Sequence, residues 1–504
     1  MSSDGRTILV ANRGEIAVRI LRTCRRMGFR TVAVASEADR NAPHVAAADE
    51  WVEIGPAAPL ESYLRVDRIL DAAAATGATD VHPGYGFLSE NAGFARAVVA
   101  AGLRFVGPPA SVVETMGSKL TARVAAESAG VHGLPSAAGD DAALCEAAEA
   151  FGFPVLVKAV SGGGGKGMRR VDDPAALPDA LAACRREAAA AFDDNRLLVE
   201  RYIEGARHLE VQLIADSHGN IRTLFDRDCS LQRRSQKVIE ECPAPGIGDL
   251  VRRELIESAT AVAAAVGYQN AGTVEFLWNP SGELHFLEMN TRLQVEHTVT
   301  EMVTGLDLVE WQLRVAAGEQ LPQELVPEEP MGHAIEARLY AEDPMNGFLP
   351  STGRIDKLVL PEGPGIRVDS GIAEGLDVTS WYDPLLAKIV AVGSDRDSAL
   401  DCLGAALEKT RLIGLRTNLE LLRSLTTDAG FRAGGVDTGY LGEMAREWAL
   451  QGARSATHEE LIAAAAALWL GESGGTSVPL KPRQDAPSPW ATLGPWRLGA
   501  RDLS

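Results

Sequence analysis

Cysteine is scarce in this sequence: six cysteines occur among 504 residues, and no two of them form a C-x-x-C pair. This pattern predicts free thiols in a reducing compartment rather than a disulfide or zinc framework. Long apolar runs are also missing, since no stretch reaches the roughly 18 to 20 residues that a membrane-spanning helix requires. The first residues have none of the features of a secretory signal peptide. We therefore expect a cytoplasmic protein that does not act in a membrane.

Basic residues are outnumbered, with 49 Lys and Arg against 69 Asp and Glu, which gives a net charge of -20. A chain this acidic repels nucleic acid and anionic membrane surfaces, so neither is expected as a partner. A phosphate-bearing ligand must then be held by a few placed cations rather than by a basic surface. The length of 504 residues predicts two to four domains.

The N-terminal part alternates between strand and helix. Residues 7–11 predict a buried strand, residues 15–27 an amphipathic helix, and residues 31–35 the next strand. This spacing predicts a right-handed βαβ unit on a parallel sheet. The loop after the first strand lacks the G-x-G-x-x-G fingerprint, so dinucleotide binding is only weakly indicated. Residues 82–90 predict a loop at the carboxyl edge of the sheet, where ligands bind in such folds.

Four consecutive glycines, Gly162 to Gly165, follow a predicted strand at residues 153–158. The unhindered N–H groups of such a run can fold over phosphate oxygens. Lys158 and Lys166 flank the run, and the next residues read as an extended return. We therefore predict a mobile flap rather than the alternative, a flexible linker. Lys166 is followed by glycine instead of Ser or Thr, so the run is not a P-loop.

Residues 285–297 carry the densest set of polar side chains at the period of a strand. Read as one strand, they place five polar residues on a face about 26 Å long and apolar residues on the other face. A solvated outer face is the alternative, but it would more often carry Lys, Thr and Ser. The five polar residues are Glu288, Asn290, Arg292, Gln294 and Glu296.

A second predicted strand at residues 272–278 precedes a turn at residues 279–282, so the two strands are expected to form a hairpin. This pairing brings Glu275 opposite Leu287 or Glu288. Two carboxylates that close repel each other unless a cation lies between them. Paired hard oxygen ligands, with an asparagine two residues further on, suit Mg²⁺ that also holds nucleotide phosphates. A structural ion pair with a buried arginine is the alternative.

Further candidate ligands lie on both sides of the hairpin. Residues 118–130 predict a helix with Lys119 near its start, and residues 197–203 predict a strand whose end could meet an adenine edge. Residues 228–237 hold the best local cluster of cations, for which a solvated basic face is an equal alternative.

After the hairpin we expect one helix that ends near residue 318. Residues 334–340 then predict a strand that places Glu336 and Arg338 on one face.

Six motifs together resemble biotin carboxylases, in the order in which that family has them. They are ANRGEIA (residues 11–17), HPGYGFLSE (82–90), GGGGKG (162–167), DCSLQRR (228–234), EMNTRLQVEH (288–297) and EARLYAED (336–343). The resemblance implies an α/β and α+β chain with an ATP-grasp fold, composed of a Rossmann-like N-terminal domain, a mobile lid and a larger C-terminal domain. The implied domains are residues 1–117, the linker helix and lid at 118–203, the ATP-grasp core and C-terminal domain at 204–450, and a helix, linker and subunit-contact segment at 451–504.

Members of this family make carboxyphosphate from bicarbonate and MgATP and then carboxylate N1′ of biotin. The resemblance therefore implies ATP, Mg²⁺ or Mn²⁺, and biotin as a carrier-bound substrate. The implied metal ligands are Glu275, Glu288 and Asn290. The implied ATP-binding residues are Lys119, Lys158, Gly163, Gly164, Gly165, Glu200, Tyr202, Ile203, His208, Gln232, Glu275 and Glu288.

The same resemblance implies roles around the bicarbonate anion. Glu296 would be the base that deprotonates bicarbonate, and Arg338 would stabilise the enolate-like oxygen of biotin. A planar fork of donors suits an anion, and an adjacent carboxylate can accept its proton. The implied catalytic residues are Glu296, Arg292, Arg338 and Lys237, and the implied bicarbonate ligands are Lys237, Arg292, Gln294 and the backbone of Val295.

Two features depart from the simplest family member. Position 235 is Ser where the family usually carries His, which puts one contact to phosphate in doubt. The tail after residue 450 resembles the start of the subunit-contact region in α subunits of acyl-CoA carboxylases of the methylcrotonyl-, acetyl- or propionyl-CoA type. None of the nine Met residues has a Lys beside it, so a Met-Lys-Met biotinylation site is absent.

The implied partners are a biotin carboxyl carrier domain, absent from this chain, and a carboxyltransferase β subunit, in a homo- or hetero-oligomer. Two alternatives stay open. The first is another bicarbonate-activating ATP-grasp ligase, such as carbamoyl phosphate synthetase, against which Arg338 and the Gln-Val-Glu block at residues 294–296 argue. The second is a nucleotide-binding scaffold subunit without turnover, which Ser235 and the tail motivate.

Overall fold

The computed structural model describes residues 5–160, 168–192, 194–279 and 281–444. Its N-terminal part is a parallel sheet in the order β3-β2-β1-β4-β5, flanked by helices. The predicted βαβ unit is confirmed, because β1 and β2 pair in parallel and Ile16, Ile20 and Cys24 of the connecting helix are buried. The elements are β1 (Thr7–Val10), α1 (Gly14–Arg26), β2 (Arg30–Ala35), α2 (Pro43–Ala47), β3 (Glu50–Glu53), α3 (Val66–Thr76), β4 (Asp80–His82), α4 (Ala92–Ala100) and β5 (Arg104–Phe105).

A small antiparallel sheet follows, in the order β6-β9-β7-β8. Leu144, Val157 and Leu181 belong to the apolar core that it forms with its two helices. The strands on either side of the glycine run pair as a hairpin, with Lys158 opposite Met168, as the extended return predicted. The elements are α5 (Ala110–Gly117), α6 (Lys119–Ser128), β6 (Ser136–Ala138), α7 (Asp141–Phe151), β7 (Val155–Ala159), β8 (Met168–Val171), α8 (Leu177–Phe192) and β9 (Leu197–Arg201).

The largest sheet is antiparallel and runs in the order β14-β13-β10-β11-β12-β15-β22-β20. Polar residues on its central strands are buried, which is unusual for a sheet face and marks the site described below. The elements are β10 (Arg207–Ala215), β11 (Ile221–Arg233), β12 (Gln236–Cys242), α9 (Asp249–Ala265), β13 (Asn270–Trp278), β14 (Leu284–Asn290), α10 (His297–Thr304), α11 (Leu308–Ala316) and β15 (His333–Tyr340).

The last part of the described chain completes this sheet with β20 and β22 and covers it with helices. Leu400, Leu403 and Leu407 of α12 are buried in the core beneath β15 and β22. The elements are β16 (Glu342–Asp343), β17 (Leu349–Pro350), β18 (Gly353–Arg354), β19 (Lys357–Val359), β20 (Ile366–Ser370), β21 (Asp377–Val378), β22 (Leu385–Gly393), α12 (Arg396–Lys409), β23 (Arg411–Ile413), α13 (Leu419–Thr427) and α14 (Ala429–Arg432), with short 3-10 turns at Glu37–Asp39, Pro59–Glu61, Pro174–Ala176 and Pro344–Asn346.

The prediction of one long strand over residues 285–297 was wrong. β14 ends at Asn290, where its pairing with β13 also ends, and the next backbone N–H, that of Thr291, donates to Glu90 at 3.2 Å. A side chain from the N-terminal domain thus replaces the strand partner. Residues 291–296 form a loop, called the anion loop below, and Glu296 is the N-cap position of α10.

The single helix predicted to end near residue 318 is two helices. α10 ends because Gly305 adopts a left-handed conformation with φ of 70°. α11 starts afresh at Asp307, whose carboxylate caps the helix by accepting from the N–H of Glu310.

Three other predictions concern the cysteines, membrane-spanning helices, and segments that the structure does not describe. The six cysteines all lie in the described residues and are free thiols, as expected. None of the helices in the described ranges is both long and apolar enough to cross a membrane. Gly163, Gly164 and Gly165 and the predicted elements after residue 450 lie outside the described residues.

Candidate active site

Lys237 on β12 is the centre of the candidate site. Its ammonium donates to three buried carboxylates: Glu210 at 2.7 Å, Glu275 at 2.9 Å and Glu296 at 2.5 Å. Burial alone would lower the pKa of Lys237, but the surrounding acidic groups raise it well above its ordinary value. The cation cluster predicted at residues 228–237 is therefore no solvated face at this position, since the ammonium is enclosed by acids.

Glu275 on β13 accepts hydrogen bonds from three side chains. Besides Lys237, its donors are Asn290 at 2.8 Å and Gln294 at 2.6 Å, and Nε2 of His208 lies 2.9 Å from its other oxygen. Burial would raise the pKa of Glu275, but Lys237 and His208 hold it well below its usual range. Glu275 is thus a charged and tightly held carboxylate.

Glu288 is the cross-strand partner of Glu275, one of the two positions that the hairpin predicted. Burial first, and then the charge of Glu275, raises the pKa of Glu288. A raised pKa means that nearby positive charges do not fully offset the negative charge of the ionised carboxylate. A divalent cation between the two carboxylates would supply that positive charge. With the Asn290 amide next to Glu275, this donor set fits Mg²⁺.

The Glu275–Glu288 pair differs from two other convergent acidic groups. His208, Glu210 and Glu275 have ligand atoms within 4.8 Å of one another, and so do Glu210, Cys229 and Glu296. The Lys237 ammonium contacts Glu210, Glu275 and Glu296, so every carboxylate of both groups already pairs with a cation. Glu288 has no ion pair among the described residues, and its raised pKa reports an incompletely compensated charge, so the cross-strand pair is the better candidate for a metal ion.

Arg292 in the anion loop is held by two side-chain contacts, which do not use all the N–H groups of its guanidinium. Its Nε donates to Glu90 at 3.0 Å and its Nη2 donates to Asn290 at 3.0 Å. Glu90, in the loop after β4, was not among the predicted site residues. Its signal in the sequence was present, because it closes the loop at residues 82–90 that was predicted at the ligand-binding edge.

Glu296 lies between Lys237 and Arg338 and contacts both. One oxygen accepts from Lys237, and the other accepts from Nη2 of Arg338 at 3.0 Å. Burial would raise the pKa of Glu296, but Lys237 and Arg338 hold it below its ordinary range. The carboxylate therefore stays ionised at neutral pH and can accept a proton.

Gln294 and Val295 are held from inside the protein. The Gln294 oxygen accepts from Arg227 at 2.6 Å while its amide nitrogen donates to Glu275. Arg227 is fully buried and also donates to Glu210 at 2.5 Å. The carbonyl of Val295 accepts from Lys388 at 2.8 Å.

Glu210 and Arg227 were missed by the sequence reasoning. A signal was available, because His208, Glu210 and Gln212 lie at period two on a strand, as the polar residues of the hairpin do. Like the hairpin strand, β10 therefore carries polar residue types that are unfavourable in strands.

The predicted nucleotide residues fall into two groups. Lys158 contacts Glu200 across β7 and β9. Burial lowers the pKa of Lys119, with Glu288, Lys158 and Glu200 among the charges around it. These four side chains, from α6, the small sheet and β14, therefore form one cluster.

The second group consists of two residues on the largest sheet and two residues that follow the small sheet. His208 and Gln232, the predicted ribose-side pair, contact each other at 3.2 Å and are both buried. Tyr202 and Ile203 are half-buried just beyond β9, and the guanidinium of Arg170 lies 4.5 Å from the Tyr202 ring.

Glu240 and Glu336 form a second pair of buried acids, as cross-strand partners on β12 and β15. Glu240 contacts Arg338, and Glu336 accepts from the hydroxyl of Thr298. Burial raises the pKa of Glu240 to about 7 and that of Glu336 to about 8. Glu336 was predicted to share a face with Arg338 and does so, with 4.0 Å between them.

The raised pKa values predict a pH-dependent stability. The folded protein binds more protons at this pair than the unfolded chain does, so the stabilisation is complete below about pH 4.5 and is lost as the pH rises through about 8. We expect Glu336→Gln to flatten the decline of the unfolding free energy, measured by urea denaturation between about pH 5 and 9. The exposed Glu283→Gln should keep the wild-type slope. Parallel profiles for Glu336→Gln and wild type would contradict the raised pKa of Glu336.

Three segments of the chain match known domain families. Residues 4–113 match "Biotin carboxylase, N-terminal domain", residues 118–324 match "Carbamoyl-phosphate synthase L chain, ATP binding domain", and residues 336–443 match "Biotin carboxylase C-terminal domain". The methylcrotonoyl-CoA carboxylase subunit alpha of Dictyostelium discoideum is 47% identical over 496 residues, which cover 97% of this chain and 70% of that protein. The biotin carboxylase of Halalkalibacterium halodurans is 48% identical over 442 residues, which cover 86% of this chain and 96% of that protein.

Solved structures agree with these matches. The biotin carboxylase of Campylobacter jejuni, in a β,γ-ATP complex, superposes with a TM-score of 0.84 at 41% identity and covers 87% of this chain and 98% of its own. The biotin carboxylase domain of the 2-oxoglutarate carboxylase of Hydrogenobacter thermophilus, bound to MgADP, ADP and bicarbonate, gives 0.84 at 41% identity and covers 87% and 97%. The predicted ATP-grasp architecture is confirmed by these likenesses.

Proposed function

The chain belongs to the biotin carboxylase family, and we propose that it carboxylates biotin with ATP and bicarbonate, the first half-reaction of an acyl-CoA carboxylase. One observation carries the proposal: Lys237 and Arg338 both contact Glu296, next to the Glu275–Glu288 pair, and Arg292 donates to Asn290, which itself contacts Glu275. An anion held there has cationic donors on one side and an ionised carboxylate on the other. Both are needed to make a nucleophile from bicarbonate.

The proposed first step is the attack of a bicarbonate oxygen on the γ-phosphorus of ATP. The bond from that phosphorus to ADP breaks, carboxyphosphate forms, and Glu296 accepts the bicarbonate proton. Arg292 and the anion loop orient the anion, which removes much of the entropic barrier. Glu275 and Glu288, with Asn290 beside them, would hold Mg²⁺, which supplies neutralisation of phosphate charge.

In the proposed second step the bond between the carboxyl carbon and the phosphate oxygen of carboxyphosphate breaks, the released phosphate takes the N1′ proton of biotin, and N1′ bonds to the carboxyl carbon. Arg338 stabilises the developing negative charge on the biotin oxygen, because its guanidinium is fixed between Glu240 and Glu296. On the nucleotide side, Lys119 and Lys158 contact phosphates, and Glu200, Tyr202 and Ile203 border the adenine. His208 and Gln232 contact the ribose.

The proposed domain organisation has four parts: 1–117, 118–203 as a linker helix and lid, 204–450, and 451–504. The separate family matches to residues 4–113, 118–324 and 336–443 support the first boundary. The glycine-rich flap with Gly163, Gly164 and Gly165 would belong to the lid and cover the phosphates.

The proposed partners are a biotin carrier domain and a carboxyltransferase β subunit. Similarity to α subunits named methylcrotonoyl-CoA carboxylase supports a role as an acyl-CoA carboxylase α subunit. The rival ligase is favoured only by the match of residues 118–324 to the carbamoyl-phosphate synthase domain, and both flanking matches are to biotin carboxylase.

The deciding experiment is an ATPase assay with and without bicarbonate and free biotin. We expect ATP hydrolysis that requires bicarbonate and rises with biotin. Turnover that needs bicarbonate but ignores biotin would favour the rival ligase. Nucleotide binding without any turnover would favour a scaffold.

A further prediction concerns Ser235, at the exposed two-residue turn between β11 and β12. Both turn residues, Arg234 and Ser235, have positive φ, of 51° and 65°. A Ser hydroxyl is shorter than imidazole and carries no charge, but one neutral hydrogen bond contributes only about 0.5 to 1.5 kcal/mol. We expect Ser235→His to lower the KM for ATP several-fold and to leave kcat within about threefold.

The matched control for Ser235 is Ser235→Asn, which accepts positive φ without supplying an imidazole. An equal fall in KM for both variants would mean that relief of backbone strain, and not a phosphate contact, is responsible. Activity that appears only in the His variant would overturn the enzyme reading of the natural chain.

A further inference from the structure

Lys388 on β22 is a fully buried lysine to which the proposed reaction assigns no role. Its ammonium donates to the carbonyl of Val295 at 2.8 Å and lies 3.3 Å from Glu15 and 3.9 Å from Asp369. Burying an ammonium is costly unless it is paired and hydrogen-bonded, and a methionine would fill similar space without that cost. The position therefore serves something beyond packing.

Lys388 and Glu90 contact the anion loop at its two ends. Glu90 holds the start of the loop through the N–H of Thr291 and the guanidinium of Arg292. Lys388 holds its far end, at the carbonyl of Val295. Fixing this carbonyl fixes the orientation of the peptide between Val295 and Glu296, and hence of the base.

The two acids beside Lys388 are themselves anchored. Asp369 accepts from Arg367 and from Arg22, each at 2.7 Å. Glu15, in the first turn of α1, accepts from the hydroxyl of Tyr85. Their positions confine the ammonium, so that its hydrogen bond is directed at Val295.

The N-terminal helix is held close to this lysine by a backbone contact. A Cβ on Gly371, which follows β20, would lie 2.5 Å from the backbone nitrogen of Glu15. The two chain segments therefore touch without a side chain between them. A loop end, a helix start and a strand end thus meet at one ammonium.

We propose that Lys388 is a positioning residue for bicarbonate capture, which acts by holding the Val295 carbonyl and thereby the donors and the base of the anion loop. The proposal rests on the proposed function. Nucleotide binding should be insensitive to it, because the predicted nucleotide residues lie on other elements.

The primary test is Lys388→Met, with steady-state kinetics of bicarbonate-dependent ATP hydrolysis. We expect the KM for bicarbonate to rise at least about tenfold, the loss of one hydrogen bond to a charged group, while the Kd for ATP stays within about twofold. Lys357→Met is the control, since Lys357 is half-exposed and pairs only with Glu374 among the ion pairs of the described residues. It should leave both constants unchanged.

A double variant separates positioning from stability. Lys388→Met leaves Glu15 with the Tyr85 hydroxyl alone, whereas Asp369 keeps both arginines. Adding Glu15→Gln removes that uncompensated acid and should recover thermal stability, measured as Tm. The Val295 carbonyl remains unheld in the double variant, so its KM for bicarbonate should stay high.

Two outcomes would overturn the proposal. One is a KM for bicarbonate within about twofold of wild type in folded Lys388→Met. The other is a double variant whose KM recovers together with its Tm, since the role would then be structural. A wild-type chain without bicarbonate-dependent turnover would instead refute the proposed function, so the two failures are distinguishable.

Discussion

Replacing Glu296 with glutamine is expected to lower biotin carboxylation by roughly 10² to 10⁴-fold while nucleotide binding is retained. Glutamine keeps the size of the side chain and can accept one hydrogen bond, but it cannot take the bicarbonate proton. Lys237 retains Glu210 and Glu275, and Arg338 retains Glu240, so both cations stay in place. The loss should therefore appear in kcat rather than in the binding of ATP.

The lowered pKa of Glu296 bears on how it works. Lys237 and Arg338 stabilise its charge, which makes it a weak base in the arrangement seen here. An incoming phosphate that competes for Lys237 would weaken this stabilisation and raise its basicity. Because the pKa of Glu296 is lowered, its carboxylate stays ionised at neutral and mildly acidic pH. We expect no loss of activity from its titration in that range.

The measurement is carboxylation of free biotin, together with a titration of nucleotide binding. Glu241→Gln is a matched control, because Glu241 is a buried acid on β12, the strand of Lys237, and pairs with His333 and Arg396 instead. It should retain most of the turnover if it folds. A Glu296→Gln enzyme with more than about a tenth of wild-type turnover would contradict the role as base.

The second large effect is expected at the carboxylate pair. Glu275→Gln and Glu288→Gln should each raise the Mg²⁺ concentration needed for half-maximal ATPase activity, because each removes a charged oxygen ligand. Only Glu275→Gln should also lower stability. Glu275 accepts from Lys237, Asn290 and Gln294, and a buried donor left without a partner costs about 1 to 3 kcal/mol.

Glu288→Gln should be neutral or stabilising without metal, since the raised pKa of Glu288 reports repulsion that the amide removes. ATPase activity titrated with Mg²⁺, and Tm measured with and without Mg²⁺, would show both effects. Glu283→Gln, an exposed change at the turn of the same hairpin, should alter neither. If the Mg²⁺ midpoint is unchanged in both Glu275→Gln and Glu288→Gln, the pair is structural.

Much of this protein could be predicted from local pattern. The βαβ unit, the hairpin of β13 and β14, and the face shared by Glu336 and Arg338 all follow from period and turn chemistry, whereas a register shift next to Glu275 decides that its partner is Glu288 and not Leu287. Such features depend on a few consecutive residues, so short-range sterics and burial are enough to set them.

The course of residues 291–296 could not be predicted in this way. The alternation of polar and apolar residues there predicts a strand, yet the chain leaves the sheet at Asn290. The competing partner is Glu90, which lies 201 residues earlier and takes the Thr291 N–H that a neighbouring strand would otherwise use. A hydrogen bond across that separation leaves no trace in local periodicity.

The electrostatic roles within the site were likewise decided by the tertiary structure. By residue type and local pattern, Glu275, Glu288 and Glu296 are three equivalent carboxylates, and Lys237 is one cation in a basic run; only the family resemblance assigned them different roles. Folding places Lys237 against Glu275 and Glu296, which lowers the pKa of both. Burial and the charge of Glu275 raise the pKa of Glu288. The sequence by itself determined which groups are available for the chemistry, because residue type sets the charge and the donors. Only the three-dimensional arrangement decided which of them stay ionised, because a pKa depends on the charges and the solvent around each group.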